Sequence, residues 1–542
     1  MGEHTLNPKP KRIGIFGWGL VAPKSPNIAA FEANLSQSTH WLTPFEGFGP
    51  SNFLVGQPEF NFADYKAWMD SRFEPRKFGQ LDSKMGSSIK FALGAFIQSL
   101  SQNPGIEQTL KDLGDQAHIY VGTGLGELPV TYEISVNYFR AQRRWDRFWC
   151  QDAHHATLAR YYASDPADKA RIRQEWGAPE DPDGYDARDP QWDEIHDAWF
   201  HFWVFHSEGL KNYLEELKAI EGEGVTGAIE SNKGHLIKRK MVGRKRLNTK
   251  YGCPDEPWTV IDPKILWNIP NIAAAQISML GGITGATIAP MGACSGFGAS
   301  LRLAMNAIQL GQAKLCVVGT TDPAPHALTV GGFFGARVVS NDGGVSKPFT
   351  EMRGTHVAGG ACIWLVGDYD YLHGLGMKPL GLEILGVGVT ADADHIITPS
   401  EDGPRRAIQK TLVEAGAEAS DIGTWDMHAT ATPGDWTELQ NALSIFSPKT
   451  LFTARKGSFG HGMSACGGWE LTAQHLGVVR GELFPVNTQA EEIHPEVSAQ
   501  QTAMVLNQAT PYTGAYSGKI NMGVGGINAC VICRKWSEKE RS

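Results

Sequence analysis

Gly292-Ala-Cys-Ser-Gly-Phe-Gly-Ala-Ser-Leu301 is the most informative stretch of the chain. Small residues surround Cys294, and Leu301, Ala304 and Ile308 then recur with the spacing of one helix face. A thiol at a helix start meets unpaired backbone N–H groups and the positive end of the helix dipole. Both favour a thiolate and can cradle an oxyanion. Gly296 and Gly298 read as keeping the approach to the sulfur uncluttered. Taken alone, the stretch also fits a buried structural thiol.

Outward from this point, β-branched runs bounded by glycine recur at Arg12–Trp18, His118–Val121, Leu315–Val318, Leu382–Val389, Thr502–Leu506 and Ala529–Ile532. Helical patterns lie between some of them, which predicts an α/β fold with buried sheets. The stretch Arg12-Ile-Gly-Ile-Phe-Gly-Trp-Gly-Leu-Val21 echoes Leu382-Glu-Ile-Leu-Gly-Val-Gly-Val-Thr390, as if two half-domains each opened on a glycine-interrupted strand. From about 132 to 262 the rhythm breaks. Seven of the sixteen Trp fall there, Pro166–Asp193 is acidic, and Lys233–Lys250 holds eight Lys or Arg and no acid. This segment reads as an inserted, mostly helical and loop-rich subdomain with an aromatic core.

Composition narrows the function. With 542 residues, 42% hydrophobic and 20% charged, the chain has material for a large core and is no disordered or disulfide scaffold. A net charge of −9 argues against a general nucleic-acid binder. The opening MGEHTLNPKPKR lacks the apolar stretch of a signal peptide, Leu6 breaks a myristoylation pattern, and no run reaches the length of a membrane span. These features predict a soluble, cytoplasmic protein. Cys530 and Cys533 form C-x-x-C inside an apolar run and read as buried strand. His154, His155, His196 and His201 lack zinc spacing, so no metal is expected. Gly122-Thr-Gly-Leu-Gly lacks the G-x-G-x-x-G spacing for a dinucleotide, and Gly462-Met-Ser-Ala-Cys466 lacks the second glycine of a hydrolase elbow.

Two histidine segments complete the pattern. Asp426-Met-His-Ala-Thr-Ala-Thr-Pro-Gly-Asp435 places His428 where a strand opens into a loop, and Lys456-Gly-Ser-Phe-Gly-His-Gly-Met-Ser464 places His461 among glycines. With GACSGFG, HATATPGD, KGSFGH and Gly523-Val-Gly-Gly-Ile-Asn528 in this order, and Pro270-Asn-Ile-Ala-Ala-Ala275 ahead of the Cys strand, the chain resembles the β-ketoacyl-acyl carrier protein synthases of the thiolase superfamily. The resemblance runs from about Arg12 to Lys535, interrupted by the insertion.

The resemblance implies a thiolase-like, duplicated five-layer α-β-α-β-α fold. Its first half covers 1–370 and carries Cys294 and the insertion; its second covers 371–542 and carries both histidines. It implies decarboxylative Claisen condensation of an acyl thioester with malonyl-acyl carrier protein, in fatty acid or polyketide-type synthesis. Cys294 would take the acyl group, while neutral His428 and His461 would donate to the enolate. Backbone N–H groups of Cys294 and Val524 would hold the oxyanion. Lys456 and Glu438 would form a buried pair, Asp392 would support the site, and Thr430, Thr432, Thr355 and Gly525 would bind substrate. Val524 and Thr355 stand where the family usually has Phe, and Gly359 where it has an acid, which puts the acyl chain length in question. No cofactor is implied beyond the phosphopantetheine of the carrier or coenzyme A. Implied partners are the acyl carrier protein, the acyl thioester and a second copy in a homodimer. An initiating enzyme with a coenzyme A primer and a non-catalytic chain-length partner in a heterodimer are the alternatives; retention of the Cys and both His argues against the latter. Lys238, Arg239, Lys240, Arg244, Lys245 and Arg246 form a basic run that would steer an acidic carrier.

Overall fold

A computed structural model describes residues 10–396, 400 and 402–536; residues 1–9 of the opening segment read above for targeting signals lie outside them. Two compact units emerge, one of residues 1–130 with 266–542 and one of residues 131–265.

The larger unit is built on ten strands: β1 (Ile13–Val21), β2 (Ala117–Gly122), β3 (Thr287–Ile288), β4 (Leu315–Asp322), β5 (Gly360–Asp368), β6 (Leu380–Ala391), β7 (Ile422–Asp426), β8 (Leu451–Thr453), β9 (Tyr516–Gly523) and β10 (Ile527–Arg534). Their lateral order is β8-β7-β9-β10-β6-β1-β5-β4-β2-β3. Outward from the central β1–β6 pair, each half runs antiparallel, antiparallel, parallel, parallel. The second five strands repeat the first five position by position. The fold is the duplicated α/β arrangement that the echo between Arg12–Val21 and Leu382–Thr390 predicts.

The layers follow from packing. Helices α1 (Ser87–Ser99) and α2 (Ile272–Gly281) cover the outer face of the first half. Next come α3 (Gly296–Gln309) and α4 (Ala327–Gly335), then α5 (Asp402–Ala415), α6 (Gly434–Leu443) and α7 (Cys466–Arg480). Helix α5 packs on the outer face of the second half and touches α6, while α3 and α7 touch strands of both halves and each other. Phe297, Leu301, Ala304 and Ile308 of α3 meet Trp469, Leu471 and Val478 of α7 in the largest apolar cluster. Glycine explains why the echo is glycine-interrupted. A Cβ at Gly17 or Gly19 would lie 2.1 and 2.0 Å from carbonyl oxygens of α1, and one at Gly388 would lie 2.2 Å from Thr411 Oγ1 of α5. In both halves the outer helix lies directly on the strand backbone.

Two readings change. Thr502–Leu506 is no ladder strand: it makes one bridge, Phe452 to Met504, and beyond it the Leu506 carbonyl accepts from Val486 N instead of from a strand. Gly296 and Gly298 serve packing rather than access to sulfur, since a Cβ at 298 would meet that of Ala529 at 2.6 Å and one at 296 that of Ser464 at 3.1 Å.

The smaller unit is helical. Trp145, Trp149, Trp199 and Trp203 pack with Tyr161 and Tyr213 in its own apolar cluster, whereas Trp176 and Trp258 are exposed. His155 packs edge-on to Trp203 and His154 edge-on to Trp149. Among the described residues no group of three metal-ligating side chains occurs, and no helix is long and apolar enough to cross a membrane. Cys530 and Cys533 are buried, unpaired thiols of β10.

Candidate active site

The site starts at a strained turn. After β3 the chain tightens at Gly292, Ala293 adopts φ +45°, and a short 3₁₀ turn over Ala293–Ser295 delivers Cys294 at the start of α3. A positive φ at a residue with a Cβ costs about 1–2 kcal/mol, so the surrounding structure must enforce it. The enforcing contacts are the hydroxyl of Ser295, which donates to the carbonyls of Ile527 (2.5 Å) and Asn521 (3.1 Å). Cys294 is thereby pressed against the loop after β9. Burial pushes its thiol up to about 11, against the opposing pull of the Val524 N–H, the Lys456 charge and its own N–H. The resting group is a thiol. The thiolate expected from the helix start is outweighed by desolvation.

His428 follows β7 by two residues, in a turn wrapped around two carboxylates. Glu438 accepts the N–H groups of His428 (2.6 Å) and Ala429 (2.7 Å). Asp435 accepts those of Thr430 (2.8 Å) and Ala431 (3.0 Å). The two acids sit three residues apart on α6, so one helix face orders the whole turn. Burial raises both carboxyls, Asp435 to about 6 and Glu438 to about 7, the latter helped by Asp435.

His461 is held by its backbone, donating to His356 O (2.7 Å) and accepting from Ala358 N (2.8 Å). Its ring stands edge-on to that of His428, with centroids 5.4 Å apart. Burial, then the Lys456 charge, depresses both imidazoles, His428 well below its ordinary value and His461 to about 3. Both rings are neutral at physiological pH.

Cys294, His428 and His461, three residues far apart in sequence, line one cavity of about 460 Å³. Thr430, Thr432, Thr355 and Val524 line it too, and the Thr430 and Thr432 hydroxyls are 3.0 Å apart. Gly525 is not on its wall; its N–H donates to Ile396 O at 2.6 Å. Asp392 also stands off the wall. It accepts from Asn528 Nδ2 (2.5 Å) and Ser400 N (2.9 Å), tying down the loop that carries Val524. The acid that the family usually has at Gly359 would not fit, because a Cβ there would lie 2.1 Å from Pro323 O.

The expected Lys456–Glu438 pair is not formed. Lys456 Nζ pairs with Glu470 at 2.7 Å and also donates to His428 O, both side chains being fully buried. Glu438 is occupied by the backbone of the His428 turn. Burial alone would lower the Lys456 pKa, but the Glu470 carboxylate reverses that and raises it. Glu470 lies on α7 within Cys466-Gly-Gly-Trp-Glu-Leu, an acid inside an apolar helix; that mismatch is the sequence signal that identifies it. Asp322 is a second buried acid not singled out from sequence. It accepts from Ser464 Oγ (2.5 Å) and N (2.8 Å), Thr123 Oγ1 (3.0 Å), Gly124 N (3.0 Å) and Leu125 N (2.9 Å).

The basic run lies on the helix Ile229–Tyr251 of the smaller unit and is partly neutralised there. Arg244 pairs with Glu221 (2.5 Å), Lys240 with Glu221 (3.6 Å) and Arg239 with Glu223 (3.8 Å). Among the described residues, Lys238, Lys245 and Arg246 make no ion pair.

Comparison with known proteins fits this geometry. The family described as Beta-ketoacyl synthase, N-terminal domain, matches residues 248–367, and Beta-ketoacyl synthase, C-terminal domain, matches 382–489. Over these two stretches the chain is similar to the β-ketoacyl synthases. Among curated relatives, a 3-oxoacyl-[acyl-carrier-protein] synthase homolog of Saccharomyces cerevisiae is 28% identical over 287 residues, 51% of this chain and 64% of that one. A 3-oxoacyl-[acyl-carrier-protein] synthase 2 of Staphylococcus aureus is 28% identical over 278 residues, 49% and 66% of the two chains. The chain thus spans a little under two thirds of the length of these relatives. Among solved structures, the ishigamide ketosynthase/chain length factor superposes with TM-score 0.66 at 19% identity, and a β-ketoacyl synthase from Burkholderia phymatum with 0.65 at 18%. Each match covers 97% of this chain and 100% of the other. A third, the ketosynthase AntDE in complex with the acyl-carrier protein AntF, gives 0.62 at 16% identity over the same shares. These likenesses establish the thiolase-type ketosynthase fold.

Proposed function

We propose that this protein catalyses decarboxylative Claisen condensation between an acyl thioester and malonyl-acyl carrier protein, in fatty acid or polyketide-type synthesis. The observation that carries the reading is the convergence of one thiol and two neutral imidazoles on a single cavity. In the first half-reaction Cys294 sulfur attacks the acyl carbonyl. The N–H groups of Cys294 and Val524 receive the oxyanion, and the Cys294 proton leaves with the departing carrier thiolate. In the second, malonyl thioester loses carbon dioxide, and the electrons of the broken C–C bond become an enolate. His428 and His461 donate hydrogen bonds to its oxygen. The enolate carbon attacks the acyl-Cys294 carbonyl, the Cys294 thiolate departs, and a proton from solvent restores the thiol. Neutral donors suit this step, because an imidazolium would protonate the enolate rather than hold it.

Thr430 and Thr432 are proposed to hold the pantetheine arm, and Lys456, paired with Glu470, to anchor the His428 turn. The proposed assembly is a cytoplasmic homodimer served by an acidic carrier. Lys238, Lys245 and Arg246 are the cations of the basic run left for docking. The test incubates the protein with labelled acyl-carrier, then with malonyl-carrier, and follows the label. Label on Cys294 that moves to a product two carbons longer supports condensation; a protein that never takes label supports the silent-partner alternative. Acetyl-coenzyme A beside acyl-carriers as first substrate separates initiation from elongation. Reversing Lys238, Lys245 and Arg246 to Glu should raise KM for carrier-borne substrate at least fivefold and leave a small-thioester assay unchanged. Equal changes in both assays would remove the docking proposal.

A further inference from the structure

Beyond Lys456 and Glu470, the wall behind the two histidines holds three more buried charges. Lys519 lies in the middle of β9, paired in register with Asp426 of β7, and its side chain is 1% exposed. Its Nζ is 2.6 Å from Glu470 Oε2 and 3.2 Å from Asp426 Oδ1. Arg455 Nε sits 3.3 Å from the other Asp426 oxygen, and both of those side chains are equally buried. Asn521, next on the same face of β9, donates to Glu470 (3.4 Å) and lies 3.5 Å from His428 Nδ1. The five groups form one chain of contacts, Lys456–Glu470–Lys519–Asp426–Arg455. It holds three cations against two carboxylates.

A lysine on a buried strand is costly unless paired, and an ion pair is no better than apolar packing for stability. Local balance does not require this lysine, because without it Lys456 would still neutralise Glu470 and Arg455 would still neutralise Asp426. What Lys519 adds is one surplus positive charge beside the cavity, in a low-dielectric setting where a charge acts over a longer range than in water. Burial raises the Asp426 carboxyl, and any proton it takes up enlarges the surplus rather than cancelling it.

Resting on the condensation reading, we infer that Lys519 sets the charge of this wall and thereby selects the second substrate. The acyl donor is a neutral thioester, whereas the malonyl donor brings a carboxylate and develops an enolate. The cavity wall also carries Asp435 and Glu438, and the positive charge that Lys519 adds against them favours the second half-reaction and is indifferent to the first. Lys519 does not touch substrate; it acts through the cluster.

Lys519→Met, Lys519→Arg and Asp426→Asn/Lys519→Met are compared with the parent protein in two assays, labelling of Cys294 by acyl thioester and release of carbon dioxide from malonyl thioester. Lys519→Met should keep labelling within about threefold and lose at least tenfold in kcat/KM for malonyl thioester. Lys519→Arg should retain both. The double variant removes one charge of each sign, restores the surplus of one, and should recover most of the malonyl activity. Parallel loss in both assays, or a double variant no better than Lys519→Met, overturns the inference. If Lys519→Met does not fold, the double variant decides: malonyl activity more than tenfold below that of Lys519→Arg, with normal labelling, overturns it. A parent protein that neither labels nor releases carbon dioxide would instead refute the condensation reading.

Discussion

The two halves of the fold contain the same turn and use it for opposite purposes. In the first half, the turn between β3 and β4 places Ala293 at φ +45°, runs through a 3₁₀ turn, and starts α3 at Gly296. In the second, the turn between β8 and β9 places Met463 at φ +49°, runs through a 3₁₀ turn, and starts α7 at Cys466. Cys294 and Ser464 are therefore equivalent positions. Each points at the end of a strand in the other half: Cys294 at the N–H of Val524 after β9, Ser464 at the carboxylate of Asp322 closing β4. An N–H can accept charge developing on a sulfur. A carboxylate that already takes the serine proton locks the hydroxyl as a donor. One scaffold gives a nucleophile or a rivet according to what the opposite strand end offers.

The comparison is broken most severely by exchanging losses. Cys294→Ala should abolish acyl labelling and condensation, by more than a thousandfold, and leave the unfolding midpoint nearly unchanged, because one small group is removed from a cavity wall. Ser464→Ala should do the reverse, keeping labelling within severalfold and losing about 2 kcal/mol of stability in denaturant unfolding, since a hydrogen bond to a buried carboxylate disappears. If Ser464→Ala abolished labelling with stability intact, the rivet reading would be wrong. A smaller effect sharpens the contrast on the catalytic side. With its thiol held near 11, Cys294 is protonated at neutrality. Its alkylation by iodoacetamide, read on the Cys294 peptide, should climb about tenfold per pH unit from 7 to 10 without a plateau. A plateau below pH 9 would show that the N–H groups outweigh burial. Smallest of all, Ala293→Gly and Met463→Gly each relieve a left-handed residue, worth up to about 1 kcal/mol. The unfolding midpoint should hold or rise in both, while only Ala293→Gly should slow acyl transfer, by loosening the turn that aims the sulfur.

The turn at Cys294 and the loops of His428 and His461 are legible in the sequence because small residues and glycines mark them locally. The duplication is legible for a related reason: Gly17, Gly19, Gly386 and Gly388 report close helix contacts in both halves. Partner choice is not local. Glu438 lies nearer than Glu470 to His428 in sequence, yet it is taken by the backbone of the His428 turn, and Lys456 reaches across to α7 instead. Lys519 reads as one more polar residue in an alternating strand until the fold places Asp426 and Glu470 on either side of it. Gly525 belongs to the family motif, but its backbone turns away from the cavity. Thr502–Leu506 has the composition of a strand, yet it meets the sheet only at Phe452 of the three-residue edge strand β8, too short to extend a ladder.

The glycines beneath the outer helices bear on how tolerance to substitution is interpreted. At Gly17, Gly19 and Gly388 even a methyl group would collide with a carbonyl or hydroxyl of the overlying helix. A saturation scan scored on growth would show these positions as depleted as Cys294 or His461, although they sit in strands whose role is architectural. Depletion alone therefore maps both the chemistry and the seam where helix rests on strand. Only a readout that separates abundance from turnover would tell the two maps apart.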